Sequence, residues 1–529
     1  MPGFRAVVAA AAGVVCPLVA SAAPYVSGVN IVGTTVSFFL NEDADSLTLS
    51  INGGSPVPLT PTRGLQTFTL SSPTDTFSLS ALKLNADGYT RRNDATVVAS
   101  PNGLSVDVPQ AQLRAISSVS NPLTRFNGPR GVAVNRDPNA GPLFGTAYIA
   151  NGAAGSYGGA GTLPGGPESA RSLGDGLYAL NPDQTDRFGY GDTAQTGGIT
   201  AWAATPSTEA PYRLTVGPDH RVYVADWSDA TGTVWRLNSD LTGGVNVLDG
   251  IGGPSTPAGF RNHGSVAAVH VEGTLEGGNL TVFTLDEDIT SQELFGSGSN
   301  ANRNSLWRYN IGSGPLPHAA LPDLVNPTPA LIGFAATGGV VVDLARGADG
   351  KFYLSQNRSV GTESGVFVLD ADGNILFSSL TASRDLLGNP SANDILRNVR
   401  GIDVSPDQKW LAAALNNSRI AVVPLVDGIP DLANVTVIET GPEVNIGRDV
   451  AFDAAGNLHY ISSGQAIYRV LARGGSTLAV TSWNGTSFSF SIGEPPTGPN
   501  IVLGDFNFDG FLDAGDIDVF TEALLESAP

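Results

Sequence analysis

The chain has 529 residues, with 28 Lys and Arg against 49 Asp and Glu, so its formal net charge at pH 7 is −21. Nucleic acids and anionic membrane surfaces would repel such a chain, which argues against both as partners. Glycine (65) and proline (35) are abundant, and only 15% of the residues are charged. This composition is typical of short strands and tight turns, and we expect an all-β protein.

Residues 1–22 have the pattern of a secretory signal peptide. Arg5 precedes an apolar stretch over residues 6–20, and the small residues at positions 20–22 suit a cleavage site. The stretch is short for crossing a bilayer, and no later segment of the sequence is long and apolar enough to do so. Cleavage would remove Cys16, the only cysteine, which excludes disulfides and thiolate metal sites from the mature chain. We expect a secreted protein, either extracellular, periplasmic or attached to the cell surface.

Residues 24–113 predict a β-sandwich. Apolar and polar residues alternate over Thr35–Leu40 and again over Ser46–Ile51, as they do in strands with one buried face. Asn52 and Gly53 together form a strong hairpin signal. Two further strands are expected over residues 66–70 and 76–84. An immunoglobulin-like sandwich fits this pattern, and such modules usually serve as spacers or binding units.

One unit recurs between residues 129 and 471. It consists of an apolar strand, a turn with Asp or Gly, a second apolar strand with an aromatic residue, a polar loop and a third strand. The clearest copy runs from Tyr212 to Asn238. The first strands of the other five copies contain Val132–Val134, Ala267–Val269, Val342–Leu344, Ile402–Val404 and Val450–Phe452.

These six units predict a six-bladed β-propeller over residues 115–495. Each unit alone would leave a strand face unburied, whereas units that stack radially cover one another. A series of β-sandwiches is the alternative, which the constant order of strand, turn and aromatic strand disfavours. The copies resemble NHL-type and related six-bladed propellers.

When the first strands are aligned, three arginines fall at the same position: Arg130, Arg400 and Arg448. We call them the arginine ring. In the second copy Tyr212 holds this position, with Arg213 beside it. In a propeller these residues would surround one mouth of the central channel. Polar residues that end the second strands are expected on the same face: Asn151, Asp226, Asp286, Asn357 and Asn416.

Guanidinium groups beside carboxylates and amides could recognise a carboxylated or hydroxyl-rich ligand, such as a uronate or another sugar. The alternative is structural: the arginines pair with neighbouring acids or donate to strand-end carbonyl groups between blades. The residues predicted to bind a ligand are Arg130, Tyr212, Arg213, Arg400, Arg448 and Asp226.

Motifs for catalysis are sparse in this sequence. Its five histidines show no HExxH or paired metal spacing, and no Gly-x-Ser-x-Gly elbow is present. Propellers of the gluconolactonase type hold a metal with a Glu in the first blade, together with Asn and Asp. The corresponding region here, residues 126–130, contains no Glu. Spacing alone does not identify a carboxylate pair for glycosidic cleavage among the 49 acids.

The segment 505–516 has oxygen-bearing residues at the spacing of a calcium loop. Side-chain oxygens occupy loop positions 1, 3, 5, 9 and 12, Gly510 permits the turn at position 6, and a main-chain carbonyl falls at position 7. An acidic turn without metal is the alternative, which six matching positions disfavour. The predicted calcium ligands are Asp505, Asn507, Asp509, Phe511, Asp513 and Asp516.

Residues 501–527 resemble one dockerin type I repeat, in which Asp commonly closes the calcium loop. Complete dockerins carry two such repeats, and one is found here. The resemblance implies calcium-dependent folding, attachment to another extracellular protein, and a context of polysaccharide breakdown. A second acidic segment, residues 370–374, has its glycine at position 4 and predicts a hairpin turn instead.

The sequence thus favours a secreted, non-catalytic binding or scaffold protein with a propeller recognition surface and a calcium-dependent attachment repeat. The first alternative is a propeller hydrolase or lyase that cleaves glycosidic bonds, with the arginine ring holding uronate carboxylates. A metal-dependent lactonase is a weaker alternative.

The calcium site can be tested by calorimetry on residues 495–529. We expect calcium uptake by the wild-type segment and its loss in Asp505→Ala, because the first loop position supplies a carboxylate ligand. Absence of binding heat in the wild-type segment would refute the site.

Overall fold

The computed structural model describes residues 23–86, 88, 97–100, 103–106, 117, 121–157, 171–198, 210–227, 233–248, 266–286, 305–318, 323–325, 340–357, 365–387, 396, 398–415, 419–439, 447–462 and 467–495. The predicted signal peptide and the dockerin-like repeat lie outside these residues and stay predictions. The described part consists almost entirely of strands, with one α-helix, α1 (Ser379–Leu387), which confirms the all-β class. None of its helices is long and apolar enough to cross a membrane.

The N-terminal strands form a two-sheet sandwich. They are β1 (Val26–Val32), β2 (Thr35–Leu40), β3 (Ser46–Ile51), β4 (Val57–Leu59), β5 (Gly64–Thr69) and β6 (Phe77–Ala86). One sheet has the order β1-β2-β5, and β4, β3 and β6 belong to the other. Alternate residues point into the shared core, such as Val36 and Phe38 from β2 and Leu47 from β3. The period-two pattern of the sequence therefore specifies the buried face. A hairpin of β7 (Val97–Ser100) and β8 (Gly103–Val106) follows.

The middle of the chain forms six antiparallel sheets, which we call blades 1 to 6 in chain order. Blade 1 contains β9 (Pro129–Val134), β10 (Ala147–Asn151) and, after the hairpin of β11 (Gly155–Tyr157) and β12 (Arg171–Leu173), β13 (Gly176–Leu180). Blade 2 contains β14 (Leu214–Val216), β15 (Val222–Asp226), β16 (Thr233–Leu237) and β17 (Val245–Asn246). Blade 3 contains β18 (Val266–Glu272), β19 (Leu280–Asp286), β20 (Ser305–Gly312) and β21 (Asp323–Leu324).

The remaining blades follow the same plan. Blade 4 contains β22 (Val340–Arg346), β23 (Phe352–Asn357), β24 (Gly365–Leu369) and β25 (Ile375–Ser378). Blade 5 contains β26 (Val399–Val404), β27 (Trp410–Leu415), β28 (Arg419–Val426), the short β29 (Ile429–Pro430) and β30 (Thr436–Glu439). Blade 6 contains β31 (Gly447–Phe452), β32 (Leu458–Ser462) and β33 (Ile467–Leu471).

The first strand of each blade is innermost, and these six strands form a closed ring around a central channel. Each contacts the next, and β31 contacts β9. A separate apolar cluster fills each space between neighbouring blades, including the one between blades 6 and 1. Most propeller strands are therefore buried on both faces, which explains their continuous apolar runs. The predicted propeller is confirmed by this arrangement.

Turns of one type join the first and second strands in four blades. In each turn a residue with left-handed backbone donates its N–H to the carbonyl group three positions earlier; these residues are His220, Gly350, Gln408 and Gly456. Glycine adopts that conformation without strain, and a type I turn followed by it suits a hairpin. The predicted hairpin turn at Asp370 has the same form, with Gly373 donating to the Asp370 carbonyl.

The ring closes by sharing chain from both of its ends. Arg125, which precedes blade 1, pairs antiparallel with Ile467 on β33. Nearby, the Val470 N–H donates to the Ser117 hydroxyl, 3.2 Å away. The outer edge of blade 6 is thus covered by residues that come before blade 1, which ties the first and last blades together.

The last two strands, β34 (Gly475–Trp483) and β35 (Phe488–Gly493), belong to the sandwich and not to the propeller. β34 pairs with β6, so the second sheet has the order β35-β34-β6-β3-β4 and the propeller is inserted between β6 and β34. The predicted propeller boundary at residue 495 is wrong for this hairpin. β34 alternates buried and half-buried residues, as a one-sided sheet requires, whereas propeller strands are buried on both faces.

The sandwich packs against the face of the propeller that carries the turns between first and second strands. Tyr25, Phe144 and Phe490 meet edge to face, with ring centroids 5.5 to 5.7 Å apart. The Asn457 side chain in blade 6 accepts from the Ala23 N–H and donates to the Ala23 carbonyl, both at 3.1 Å. Apolar packing and paired hydrogen bonds hold the two units together.

A buried carboxyl group in the sandwich makes its stability depend on pH. Burial raises the pKa of Glu42 to about 7 against the attraction of Arg63, and the Glu42 Oε2 has no hydrogen-bond partner among the described residues. Because the folded pKa exceeds the unfolded one, this stabilisation is complete at acid pH and is lost as the pH rises through about 7.

The wild-type free energy of unfolding should therefore fall by roughly 2–3 kcal/mol between about pH 5 and about pH 8. Glu42→Gln should abolish this fall, because the amide does not titrate. Urea denaturation of wild type and variant at the two pH values measures it. The exposed Asp372→Asn serves as the control and should keep the wild-type pH dependence. An equal dependence in Glu42→Gln and wild type would contradict the prediction.

Candidate functional site: the central channel

A β-bulge near the start of the inner strands determines where the arginine ring lies. In blades 1, 5 and 6 the strand pairing skips one residue, and the skipped residues are Arg130, Arg400 and Arg448. The same bulge occurs at Ala267 in blade 3 and at Val342 in blade 4. The three arginines thus share one register, as the sequence alignment predicts. An extra residue in one strand redirects the local backbone groups.

Arg213 of blade 2 binds the main chain of all three ring arginines. Its guanidinium group donates to the carbonyl oxygens of Arg130, Arg400 (2.7 Å) and Arg448 (2.6 Å). The side chain is 2% exposed, and its Nε lies 3.5 Å from Asp343 Oδ1 and 3.7 Å from Asp449 Oδ1. One cation therefore joins blades 1, 4, 5 and 6 to blade 2 across the channel.

Three carboxylates link neighbouring inner strands from within the channel wall. Asp343 accepts from the Ile402 N–H at 2.7 Å, and Asp449 accepts from the Val132 N–H at 2.8 Å. Asp403 accepts from the Phe452 N–H at 2.7 Å. Each also accepts from the N–H of its own following residue. These bonds connect blade 4 to 5, 5 to 6 and 6 to 1.

Burial raises the pKa of all three carboxyl groups. For Asp343 and Asp449 the effect of burial exceeds the attraction of Arg213, and for Asp403 it exceeds that of Arg136. A buried carboxylate loses hydration that its partners only partly replace.

Small residues share the register of Arg213. The bulges place Gly131 and Gly401 one residue after the ring arginines of blades 1 and 5. A Cβ on Gly131 would lie 2.4 Å from the Tyr212 carbonyl oxygen, and one on Gly401 would lie 2.5 Å from the Asp449 Cα. Neighbouring inner strands therefore approach closely only because these positions lack a side chain.

The structure brings the predicted ligand residues together, and most of the contacts between them involve main-chain carbonyl groups. Tyr212 is buried, and its ring lies 4.7 Å from the Arg213 guanidinium. Asp226 is buried at the end of β15, with Oδ2 3.5 Å from the Trp235 Nε1. The other strand-end residues, Asn151, Asp286 and Asn357, pair with the starts of inner strands and so lie at the same end of the blades, while Asn416 lies outside the described residues.

A cavity of about 610 Å³ extends from the Arg213 layer toward the turns between first and second strands, and we call it the channel pocket. Its middle layer takes one residue from each inner strand, three positions after the bulge register: Ala133, Thr215, His270, Ala345, Asp403 and Ala451. Arg136, Glu272, Arg346 and Gln408 line it nearer the turns. The alanines leave the space that forms the cavity.

The two arginines that line the channel pocket nearer the turns differ in their surroundings. Arg136 is held in place: it donates to the Asp403 carboxylate, to the Phe452 carbonyl at 2.7 Å and to the Val404 carbonyl at 3.2 Å. The Arg346 guanidinium lies over two aromatic rings, 4.6 Å from the Phe283 centroid and 4.2 Å from that of Phe352. Its Nε lies 2.5 Å from Glu272 Oε1.

His270 is one of the titratable groups of the channel pocket that the sequence analysis did not single out. Within the described part of the chain its imidazole has no hydrogen-bond partner, and its ring lies 6.3 Å from that of Phe283. Burial and the charges of Arg346 and Arg136 lower the pKa of His270 to about 4. Alignment of the repeats could have pointed to His270, because it holds the same inner-strand position as the polar residues Thr215 and Asp403.

Comparison with known proteins leaves the family open. No family model and no curated protein matches the chain. A protein of unknown function from Bacteroides thetaiotaomicron is 11% identical, over 86% of this chain and 98% of that one, with a TM-score of 0.39. A gluconolactonase from Xanthomonas campestris is 13% identical, over 52% and 82%, with a TM-score of 0.28. Virginiamycin B lyase from Staphylococcus aureus is 12% identical, over 72% and 98%, with a TM-score of 0.31. Such scores carry no argument about activity.

Arg213→Met should lower the free energy of unfolding by about 3–5 kcal/mol, because it leaves buried carboxylates without their cation. Arg213→Lys should lose less, since an ammonium group keeps the charge but cannot bind three carbonyls in one plane. Urea denaturation followed by tryptophan fluorescence measures both. The half-exposed Arg221→Met is the control, and a loss below about 1 kcal/mol in Arg213→Met would contradict the role of Arg213.

Proposed function

We propose that this protein is a non-catalytic binding protein whose propeller takes a small polar ligand in the channel pocket. The observation that carries the proposal is the pocket itself: about 610 Å³, bounded at one end by Arg213 and lined by charged, hydroxyl and imidazole groups. Ligand pockets usually have volumes of about 300–1,000 Å³ and a few polar groups that orient the ligand.

The hydrogen bonds in the channel wall favour binding over chemistry. Asp343, Asp403 and Asp449 each accept from two backbone N–H groups, which fixes the orientation of these carboxylates and couples them to the blades. A group held in this way shapes a rigid pocket. A rigid pocket binds its ligand with little loss of conformational entropy.

The arginine ring would be a second recognition element, at the opposite mouth of the channel. The half-buried Arg400 and Arg448 would present their side chains to a carboxylated or hydroxyl-rich ligand there. Arg130, Tyr212 and Asp226 are buried and would act from beneath that surface. Their carbonyl groups are already used by Arg213, which supports a fixed spacing between them.

The remaining parts of the proposal concern location and attachment. The protein would be secreted through its signal peptide, and the dockerin-like repeat would bind calcium through Asp505 and its companions and attach to an extracellular partner protein. The sandwich would act as an immunoglobulin-like spacer. Its strand order, β1-β2-β5 facing β4-β3-β6-β34, supports that class. A polysaccharide-degrading context would fit a sugar ligand.

His270 favours a second candidate, a polysaccharide lyase or hydrolase. Its imidazole has no partner in the described residues and is unprotonated at pH 7, so it can accept a proton, but a pKa of about 4 makes it a weak base. A lyase would use it to remove the proton next to a uronate carboxylate.

A panel of mono- and oligosaccharides, neutral and uronic, tests both candidates on the full chain. We expect binding by calorimetry without release of reducing ends or unsaturated uronates, and released product would favour the enzyme. Thr215→Phe should abolish binding because it fills the channel pocket, whereas Thr67→Phe, on an exposed strand position of the sandwich, should bind as wild type. Undiminished binding by a folded Thr215→Phe protein would refute the pocket as the site.

A further inference from the structure

The wall of the channel pocket between blades 3 and 4 differs in charge from the rest of the pocket. We propose that Arg346 and His270 form a subsite there for an anionic group of the ligand, of the carboxylate or phosphate class. This inference rests on the proposed binding function and specifies which chemistry the pocket selects.

Strand register brings the two groups to one place. His270, Phe283 and Arg308 are cross-strand neighbours on β18, β19 and β20, so they form one row across blade 3. Arg346 comes from blade 4 and lies over Phe283 of that row. Its second aromatic neighbour is Phe352 of blade 4, whose ring is inclined by 62° to that of Phe283. Stacking of this kind holds an arginine while leaving its edge available for planar oxyanions.

Both groups have hydrogen-bonding capacity that the described residues do not use. The Arg346 Nη1 is buried and has no hydrogen-bond partner among them. The half-buried imidazole of His270 has no partner there either. A buried donor is usually satisfied, because an unsatisfied one costs about 1–3 kcal/mol. The buried Arg346 Nη1 therefore indicates that an acceptor is missing, and a bound oxyanion would supply it beside His270.

The charges around His270 favour an anion over a cation. After burial, the interactions that depress the pKa of His270 come from Arg346 and Arg136, and no carboxylate opposes them. Arg308 also lowers the pKa of Arg346, in addition to the larger effect of burial. The only carboxylate in ion-pair contact with Arg346 among the described residues is Glu272, which is 45% exposed and therefore screened by water.

The charged groups elsewhere in the pocket have neighbouring partners, including Asp137, whose Oδ2 lies 3.8 Å from the His220 Nε2. On the blade 5 side, Arg136 is paired with Asp403 and donates to two carbonyls. At the inner end, Arg213 lies beside Asp343 and Asp449. Thr215 is uncharged. An anionic group is therefore best placed against blades 3 and 4, where neutral His270 would donate one hydrogen bond and Arg346 the others.

The test compares D-galacturonate with D-galactose, which differ in the carboxylate, and adds inorganic phosphate as a free oxyanion. Calorimetry on the full chain should show galacturonate binding at least about tenfold more tightly than galactose. In Arg346→Gln this preference should vanish, because galacturonate should lose more affinity than galactose does. Arg221→Gln, a half-exposed arginine outside the pocket lining, is the matched control and should keep the preference. Weak phosphate binding that Arg346→Gln abolishes would also support the subsite.

The second readout is the titration of His270 itself, followed by NMR on ¹³C-labelled histidine with His270→Gln to assign the signal. Saturating galacturonate should raise the pKa of His270, because an anion offsets the neighbouring arginines, and galactose should not. Equal affinity for both sugars, or an unchanged pKa with galacturonate bound, overturns the subsite but leaves the proposed function standing. If neither sugar nor phosphate binds, the subsite is also refuted, and the saccharide panel with Thr215→Phe then decides the proposed function separately.

Discussion

The closed ring of inner strands depends on one buried cation. Arg213 holds three carbonyl groups from blades 1, 5 and 6 and lies beside carboxylates from blades 4 and 6. A propeller has no central core, because its inner strands leave a channel where apolar packing ends. The bonds of Arg213 and the bridging aspartates replace that core, and they determine where the channel is closed and where it stays open.

This arrangement also limits what the channel can do. Carboxylates that bind backbone N–H groups in two strands are poorly placed to move during a reaction, so they define a preformed cavity. Two groups of the pocket with unused hydrogen-bonding capacity, His270 and the Arg346 guanidinium edge, lie together on one wall. In the proposed function, these groups would recognise the ligand, while Arg213 and the bridging aspartates would hold the blades together.

The sandwich and the propeller are linked by their topology, because one is inserted into the other. Because the propeller lies between β6 and β34, the second sheet of the sandwich is complete only when residues 86 and 475 pair across the inserted propeller. Tyr25, Phe144 and Phe490 then cover the junction. The insertion restricts the sandwich to the turn-bearing face of the propeller, near one mouth of the channel.

The sequence by itself determined the all-β class, the six repeats and the common register of Arg130, Arg400 and Arg448, because alternation, turn chemistry and strand order are local properties. It did not determine that β34 and β35 complete the sandwich, since any strand could pair with them. Nor did it reveal His270 and Arg346, or that Arg213 binds carbonyls 83, 187 and 235 positions away. Those contacts exist only once the ring has closed, so only the tertiary structure decided them.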